Sequence, residues 1–229
     1  MKPLKKLRLK FAFLRLKRAL KKLKNFDFTP VNTLEILFSK ELSLIQPWQY
    51  KGEFFKLLSQ YHALNPKFVM EIGTANGGTL FGHCKLAAKN ATIISVDLPG
   101  GKFGGGYPDW KMPIYQEFAC SGQQLHLIRA NSTDDATISM VNNLLGGNKL
   151  DYILIDGDHT YEGVKKDFEI YSPFVKKGGM IVFHDIAIHP NSACKVDVFW
   201  NEIKIDFQHM EYIDDAKQGR FGIGVLINK

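Results

Sequence analysis

One stretch limits the possible folds of this chain more than any other: a short apolar run with a carboxylate near its end, followed at once by glycines. Residues 68–78 read FVMEIGTANGG, and the helix-favouring segment TLFGHCKLAAK follows directly. A strand, a tight glycine turn and a helix N-terminus in this order are typical of the first crossover of a nucleotide-binding α/β sheet. Glycine is needed where the backbone takes positive φ or approaches a ligand closely. The stretch predicts a cofactor site at this turn; a glycine turn without a ligand is the alternative.

A second apolar run, ATIISVD at residues 91–97, ends in another carboxylate, Asp97. A carboxylate at the end of the second strand of such a unit is placed to bind the two hydroxyls of a ribose. The glycine spacing is GxxxGG, whereas nicotinamide and flavin sites use GxGxxG. These features favour a nucleoside-containing cofactor and disfavour a dehydrogenase.

The positive charge of the chain is confined to its first 24 residues. The net charge is +7, but residues 1–24 hold eleven Lys and Arg and no acid, so the remainder carries −4 (+7 minus 11). Apolar side chains recur at helical spacing among these cations, as Leu7, Phe11 and Leu14, then Leu16, Leu20 and Leu23. The pattern predicts a basic amphipathic helix for an anionic membrane surface or another polyanion. A solvated tail or a contact in a homo-oligomer is the alternative, and nucleic acid is disfavoured as a partner because no aromatic-interleaved basic platform occurs elsewhere.

Cysteine usage and hydropathy indicate the compartment. The three cysteines, Cys84, Cys120 and Cys194, are odd in number and widely spaced, which fits a reduced cytosolic protein without disulfides. No apolar run approaches the roughly 20 residues of a membrane span. We therefore expect a cytoplasmic protein, held at the membrane periphery if the basic helix binds lipid.

Three regions are predicted: the basic helical extension 1–24, an N-terminal helical cap 25–66, and a cofactor-binding domain 67–229. Within the domain, residues 98–110 read LPGGKFGGGYPDW, too rich in glycine and proline for a regular element. Such a loop beside a nucleotide site is predicted to act as a lid over cofactor or substrate. A plain surface loop is the alternative.

Ionisable side chains follow two further predicted strands. Asp156 and His159 come after the strand 152–155, and His184 and Asp185 follow the strand 180–183. Because ligands bind outside the carboxyl ends of parallel strands, adjacent fourth and fifth strands would bring these four groups together. Asp158 is predicted instead to cap the following helix. A terminal β-hairpin is predicted from strands around 209–213 and 221–228.

The motifs EIGTANGG, SVD, LIDGDHTYEGVKKDF and KKGGMIVFHDI together resemble one family, the class I S-adenosylmethionine-dependent methyltransferases of the methyltransferase-24 or cephalosporin hydroxylase-like group, which includes sugar O-methyltransferases. The resemblance covers roughly residues 45–228. It implies a Rossmann-like, seven-stranded, doubly wound α/β sheet. It also implies a set of S-adenosylmethionine contacts, at Glu71, Gly73, Thr74, Gly77, Gly78, Asp97, Leu98, Ser132 and Asp156.

The resemblance further implies a divalent metal, Mg²⁺ in the first instance, held by Asp156, His184 and Asp185. Metal-dependent relatives place two acids or an Asp-Asn pair where this chain has His184 and Asp185, and Mg²⁺ prefers oxygen ligands. His159 matches the general base proposed for the sugar-modifying relatives. A hydroxyl is a poor nucleophile at neutral pH, so a base, a Lewis acid or both would be needed.

The function predicted from these features is S-adenosylmethionine-dependent O-methylation of a small-molecule, sugar or glycolipid acceptor, assisted by metal, with His159 and Asp156 as catalytic residues. Two alternatives stay open. One is a protein of this fold without turnover that docks to a membrane or partner through its basic helix. The other is an iron-dependent hydroxylase, for which two histidines and a carboxylate would form the facial triad.

Overall fold

The computed structural model describes residues 3–101, 103, 106–215 and 218–229, and it describes side chains from residue 10 onward. Within these residues seven strands form one sheet: β1 (Phe68–Ile72), β2 (Thr92–Val96), β3 (Gln124–Ile128), β4 (Leu150–Ile155), β5 (Val175–His184), β6 (Gln208–Tyr212) and β7 (Ile223–Ile227). The same residues form eight α-helices: α1 (Pro3–Lys22), α2 (Pro30–Leu37), α3 (Lys51–Leu64), α4 (Gly78–Leu86), α5 (Met112–Gln116), α6 (Asp135–Leu145), α7 (Tyr161–Tyr171) and α8 (Val196–Ile203).

The strand order is β3-β2-β1-β4-β5-β7-β6. The first five strands are parallel, β7 runs antiparallel to β5, and β6 forms a hairpin with β7. At the carboxyl edge Ile72 of β1 pairs with Val96 of β2 and Ile155 of β4, so the loops that follow these strands open at the same edge. The predicted seven-stranded, doubly wound α/β class and the terminal hairpin are confirmed.

Two apolar cores lie on the two faces of the sheet because side chains alternate along each strand. In β1, Val69 belongs to the core beneath α1 to α5, and Met70 belongs to the core beneath α6 to α8. Leu154 and Ile155 of β4 divide in the same way. The central strands are covered on both faces, which explains their nearly continuous apolar sequence.

Helix α1 confirms the predicted N-terminal helix, and its apolar residues divide between two faces. Leu16 and Leu20 are 1% and 6% exposed and join the core of the domain, and the ring of Phe13 packs edge-on against Trp110 at 5.7 Å. Phe11 is 59% exposed and points away from that core. The C-terminal half of the extension therefore belongs to the packed domain. None of the helices in the described ranges is long and apolar enough to cross a membrane.

One predicted strand boundary moves. After α7 ends at Tyr171, a 3₁₀ turn containing Pro173 leads into β5. The strand expected from Met180 begins at Val175, because the backbones of Gly178 and Gly179 pair with Asn228 of the last strand's extension.

Candidate active site

The glycines of the first turn are required by close backbone approach. Gly73 has φ +94°, and a Cβ there would lie 2.0 Å from the carbonyl oxygen of Asp156, the first residue after β4. Gly77 has φ +88°, and its Cβ would lie 2.6 Å from the ring of Tyr115. At both positions a side chain is disfavoured by the positive φ and by close atoms of another part of the chain. The turn therefore lies directly against the end of β4.

Asp97 connects this turn to the loop after β2. Its carboxylate accepts the backbone N–H of Ala75 at 2.9 Å and that of Gly106 at 2.8 Å. Burial raises the pKa of Asp97, and the two N–H donors oppose that rise. The side chain is 4% exposed and borders the cleft described next.

A cleft of about 660 Å³ opens at the carboxyl edge of the sheet, between the glycine turn and the ends of β2, β3 and β4. Seven of the residues predicted to contact the cofactor line it: Gly73, Thr74, Gly78, Asp97, Leu98, Ser132 and Asp156. His159, His184 and Asp185 line it as well. Most of the predicted site is therefore brought together around one cavity.

Glu71 and Gly77 were predicted as cofactor contacts but do not line the cleft. Glu71 is 1% exposed, and its carboxylate accepts the hydroxyl proton of Ser95 at 3.1 Å and lies 3.1 Å from Nδ1 of His83. Ser95 in turn shares a short hydrogen bond with the hydroxyl of Thr74. Glu71 therefore reaches the turn through Ser95 and Thr74. The role of His83 could not be read from the sequence, where it lies within a helical stretch with no distinguishing spacing.

Four ionisable side chains converge at the ends of β4 and β5, as their strand positions predicted. Oδ1 of Asp156 lies 3.3 Å from Nε2 of His159 and 3.2 Å from Nδ1 of His184. Nδ1 of His159 lies 3.0 Å from Oδ2 of Asp185. His159 therefore bridges the two carboxylates, and each of its ring nitrogens faces one of them.

The electrostatics of this cluster follow from its two carboxylates and two imidazoles. Burial opposes charge on His159, but the hydrogen bonds that its ring donates to Asp156 and Asp185 outweigh the effect of burial and raise its pKa to about 12. Burial likewise opposes ionisation of Asp156, yet the neighbouring imidazole of His184 and the hydrogen bonds of both histidines hold its pKa well below the usual value. Without another cation, His159 and His184 supply the positive charge that balances the carboxylates of Asp156 and Asp185.

The cluster fits a divalent metal. Donor atoms of Asp156, His184 and Asp185 all lie within 4.8 Å of one another. Asp185 has φ +63°, a strained conformation for a residue with a side chain, and its Oδ1 accepts the backbone N–H of Phe221 at 3.0 Å. Nε2 of His184 is buried with no hydrogen-bond partner among the described residues. Two carboxylates and one imidazole suit Mn²⁺, Zn²⁺ or Fe²⁺ at least as well as Mg²⁺.

Two aromatic residues beside the cleft were not predicted to line it. Phe103 of the loop after β2 stacks on the ring of His159, with centroids 4.9 Å apart and planes at 18°. Trp48 is 61% exposed and lines the cleft. Leu98 also lines it from the predicted lid segment, of which residues 102, 104 and 105 lie outside the described residues. Neither aromatic has a sequence signal that separates it from a core residue.

In the loop after β3, two hydrogen bonds to residues of α7 fix Ser132. Its hydroxyl donates to Oδ1 of Asp167 at 2.6 Å, and the hydroxyl of Tyr171 donates to its carbonyl oxygen at 2.6 Å. Burial raises the pKa of Asp167 to about 6, against the hydrogen bond from Ser132. Asp158 accepts the backbone N–H of Thr160 at 2.9 Å, but the N-cap of α7 is Thr160, whose hydroxyl accepts the N–H of Gly163 at 3.0 Å. The prediction that Asp158 caps this helix is therefore wrong.

Curated relatives match part of the chain. An uncharacterized protein of Acanthamoeba polyphaga mimivirus is 33% identical over 116 residues, which are 51% of this chain and 50% of that protein. An uncharacterized protein of Sinorhizobium fredii is 27% identical over 160 residues, 68% of this chain and 17% of that protein. The chain thus spans half of the first relative's length and about a sixth of the second's.

Solved structures share the fold. An O-methyltransferase from Bacillus cereus in complex with SAH has a TM-score of 0.61 at 12% identity, covering 91% of this chain and 96% of that one. A putative caffeoyl-CoA O-methyltransferase from Staphylococcus aureus has a TM-score of 0.60 at 17% identity, covering 94% and 100%. A TDP-rhamnose 3'-O-methyltransferase of calicheamicin biosynthesis has a TM-score of 0.57 at 17% identity, covering 94% and 93%.

The family profile described as "Methyltransferase domain" (methyltransferase-24) matches residues 70–186, which is 117 of the 229 residues. The match runs from β1 to the turn after Asp185 and so includes the glycine turn, Asp97 and the four converging side chains. The chain therefore belongs to this family of class I S-adenosylmethionine-dependent methyltransferases.

Proposed function

We propose that this protein transfers the methyl group of S-adenosylmethionine to a hydroxyl of a small-molecule, sugar or glycolipid acceptor, with the help of a divalent metal. The observation that carries the proposal is the convergence of Asp156, His159, His184 and Asp185 on the same cleft as the glycine turn. Cofactor-binding backbone and groups able to activate a hydroxyl thus border one cavity.

The cofactor would lie along the turn and the ends of β2 and β3. The turn at Gly73 and Gly78 would border its amino-acid part, Asp97 would face the ribose diol, and Ser132 would border the adenine end. Glu71 would act indirectly, through Ser95 and Thr74, by fixing the turn. Because methyl transfer is an in-line displacement at an activated sulfonium, such positioning supplies much of the rate.

The acceptor hydroxyl would be activated at the ends of β4 and β5. A divalent cation bound by Asp156, His184 and Asp185 would polarise the hydroxyl and neutralise the two carboxylates. That cation would offset the negative charge of the two carboxylates, which is what raises the pKa of His159, so the imidazole would be neutral with the metal bound. Nδ1 would keep its proton toward Oδ2 of Asp185, and Nε2 would be the nitrogen that takes the hydroxyl proton. This arrangement of carboxylate, imidazole and hydroxyl is a recurrent way to orient a histidine base.

The walls of the cleft suit a ring-shaped acceptor. Trp48, Phe103 and Leu98 present aromatic and aliphatic surface beside the ionisable cluster. Flat apolar side chains next to a few polar groups are typical of small-molecule sites, and sugars and phenolic rings both stack on such surfaces. Two of the similar structures are a TDP-rhamnose 3'-O-methyltransferase and a putative caffeoyl-CoA O-methyltransferase, which supports these two acceptor classes for the first screen.

The iron hydroxylase alternative is less well supported. Among the described residues, the three-donor groups at this edge are Asp156–His184–Asp185 and His159–Asp185–Cys194. Neither contains both histidines, whereas an iron facial triad uses two histidines and one carboxylate on one ion.

The His159→Ala variant tests the base assignment. We expect methyl transfer to fall about 10²- to 10⁴-fold, the usual contribution of a general base, while S-adenosylmethionine binding measured by calorimetry stays within about twofold of wild type, since His159 lies at the acceptor side. His62→Ala, on the exposed last turn of α3, is the matched control and should keep full activity. Wild-type turnover in His159→Ala would remove the base assignment.

Membrane association is proposed for the outer face of α1. Phe11 and Leu14 are 59% and 41% exposed on the side of the helix opposite Leu16 and Leu20, and lysines and arginines flank them. An exposed apolar pair among cations suits an anionic lipid surface. The double variant Phe11→Ser/Leu14→Ser should lose co-sedimentation with phosphatidylserine vesicles, and Ile205→Ser, an exposed apolar site elsewhere (77%), should not. Equal sedimentation of all three proteins would refute the proposal.

A further inference from the structure

The edge that holds the proposed catalytic groups contains a second, chemically different donor set. Besides Asp156, His184 and Asp185, ligand atoms of His159, Asp185 and Cys194 all lie within 4.8 Å of one another. The two sets share only Asp185. The first offers oxygen and nitrogen, whereas the second offers nitrogen, oxygen and sulfur, and nothing in the proposed methyl transfer uses its thiol.

The backbone fixes Cys194 beside His159. The carbonyl oxygen of His159 accepts the N–H of Lys195 at 2.7 Å, and the N–H of Cys194 donates to Asn191 at 3.0 Å. Cys194 is 3% exposed, and its Sγ lies within 4.8 Å of a ring nitrogen of His159. The thiol is therefore held against the imidazole by the loop between β5 and α8.

The spacing of the donors suits a tetrahedral ion. Nδ1 of His159 and Oδ2 of Asp185 lie 3.0 Å apart, close to the roughly 3.3 Å between two such ligands on one zinc ion with bonds of about 2.0–2.1 Å. Three protein ligands leave a fourth position for water or a small ligand, as in open zinc sites. The thiolate selects zinc-like ions over Mg²⁺, which takes oxygen ligands.

We propose that His159, Asp185 and Cys194 form a binding site for Zn²⁺ or a similar thiophilic divalent ion, and that its occupancy inhibits methyl transfer. A metal on Nδ1 of neutral His159 leaves the ring proton on Nε2, so this nitrogen can no longer accept a proton from the acceptor. The same ion withdraws Asp185 from the oxygen-rich donor set. The inhibitory part of this proposal rests on the proposed function, whereas the metal site does not.

Cobalt spectroscopy on the full-length chain tests the site without any methyl transfer. Co²⁺ added to chelator-stripped protein should produce a near-ultraviolet thiolate-to-cobalt charge-transfer band, and equimolar Zn²⁺ should remove it. Cys194→Ser should abolish the band. Cys120→Ser, which changes a free cysteine outside both donor sets, should keep it.

These measurements distinguish failure of the metal site from failure of its inhibitory role. Absence of the band in wild-type protein, or its retention in Cys194→Ser, would overturn the metal site whatever the enzyme methylates. Circular dichroism and a thermal melt of Cys194→Ser, matched to wild type, show that loss of the band is not loss of fold. With the site present, Zn²⁺ should inhibit wild-type turnover at least tenfold more strongly than that of Cys194→Ser; equal inhibition would overturn the inhibitory role alone.

Discussion

The close approach of the first glycine turn to β4 makes a quantitative prediction for Gly73→Ala. A Cβ at this position would lie 2.0 Å from the carbonyl oxygen of Asp156 and 2.6 Å from its carbonyl carbon, at a φ of +94°. Positive φ costs a residue with a side chain about 1–2 kcal/mol. The overlap is with backbone, which cannot swing aside as a flexible side chain would, so a further overpacking cost of about 1–3 kcal/mol is expected. The variant should lose about 2–5 kcal/mol of unfolding free energy.

Gly147→Ala separates the two contributions. Gly147 has φ +85° with nothing within 4 Å of its Cβ position, so this variant carries the conformational cost alone, about 1–2 kcal/mol. Urea denaturation of both variants gives the difference directly. Because the displaced backbone lines the cleft, Gly73→Ala should also weaken S-adenosylmethionine binding at least tenfold in calorimetry, whereas Gly147→Ala should bind as wild type does. Equal stability loss in the two variants, with unchanged binding, would refute the close approach as the reason for the glycine.

Three further outcomes are expected. Burial raises the pKa of Asp167 in the folded protein to about 6, from an unfolded value of about 4. The protein therefore loses stability as the pH rises from about 4 to about 6, where the buried carboxyl ionises. In urea denaturation, Asp167→Asn should gain about 1–3 kcal/mol of unfolding free energy relative to wild type between pH 4 and pH 7, and a pH-independent difference would contradict this. Asp151 accepts the backbone N–H groups of Lys67 and Phe68 at 2.7 and 2.8 Å. Asp151→Ala should therefore cost about 1–3 kcal/mol of unfolding free energy at pH 7, because two donors lose their partner. Despite burial, the hydrogen bonds to Asp151 lower its pKa in the folded state, so the stability difference between variant and wild type should shrink as the pH falls below about 4. Asp97→Ala should abolish detectable S-adenosylmethionine binding, because it removes the proposed ribose contact and also releases the N–H groups of Ala75 and Gly106; retained binding would move the ribose away from Asp97.

The elements that organise the fold were predictable because each has a local signature. Strands β1, β2 and β4 are short apolar runs that end in a carboxylate or beside one, and glycine follows β1 immediately. The rule that ligands bind at the carboxyl ends of parallel strands predicts that Asp156, His159, His184 and Asp185 lie together. Their observed distances of 3.0 to 3.3 Å agree with that placement.

Features that depend on long-range packing were not predictable from one sequence. Glu71 carries the family pattern of a cofactor contact, yet its partners are His83 on α4 and Ser95 on β2, which only the folded sheet brings together. Cys194 looked like one of three isolated thiols until the loop after β5 placed it beside His159. Helix α1 carried two apolar stripes in its sequence, and only packing shows that Leu16 belongs to the core while Phe11 does not.

The same packing changes how the basic N-terminal helix has to be tested. Deleting residues 1–24 would remove Leu16 and Leu20, which are 1% and 6% exposed in the domain core. Loss of buried leucines costs about 2–5 kcal/mol each, so such a truncation would disturb the whole protein. Substitution of the exposed Phe11 and Leu14 leaves the core intact and addresses lipid binding alone.

The central claim, that the carboxyl edge of this sheet binds S-adenosylmethionine beside a metal-assisted acceptor site, is tested most directly by calorimetry on chelator-stripped protein. S-adenosylmethionine should bind at one site per chain with micromolar affinity, and Gly73→Ala should bind it at least tenfold more weakly. Mn²⁺ or Mg²⁺ should bind wild-type protein but not Asp156→Asn. Absence of S-adenosylmethionine binding with and without metal, on folded wild-type protein, would contradict the account.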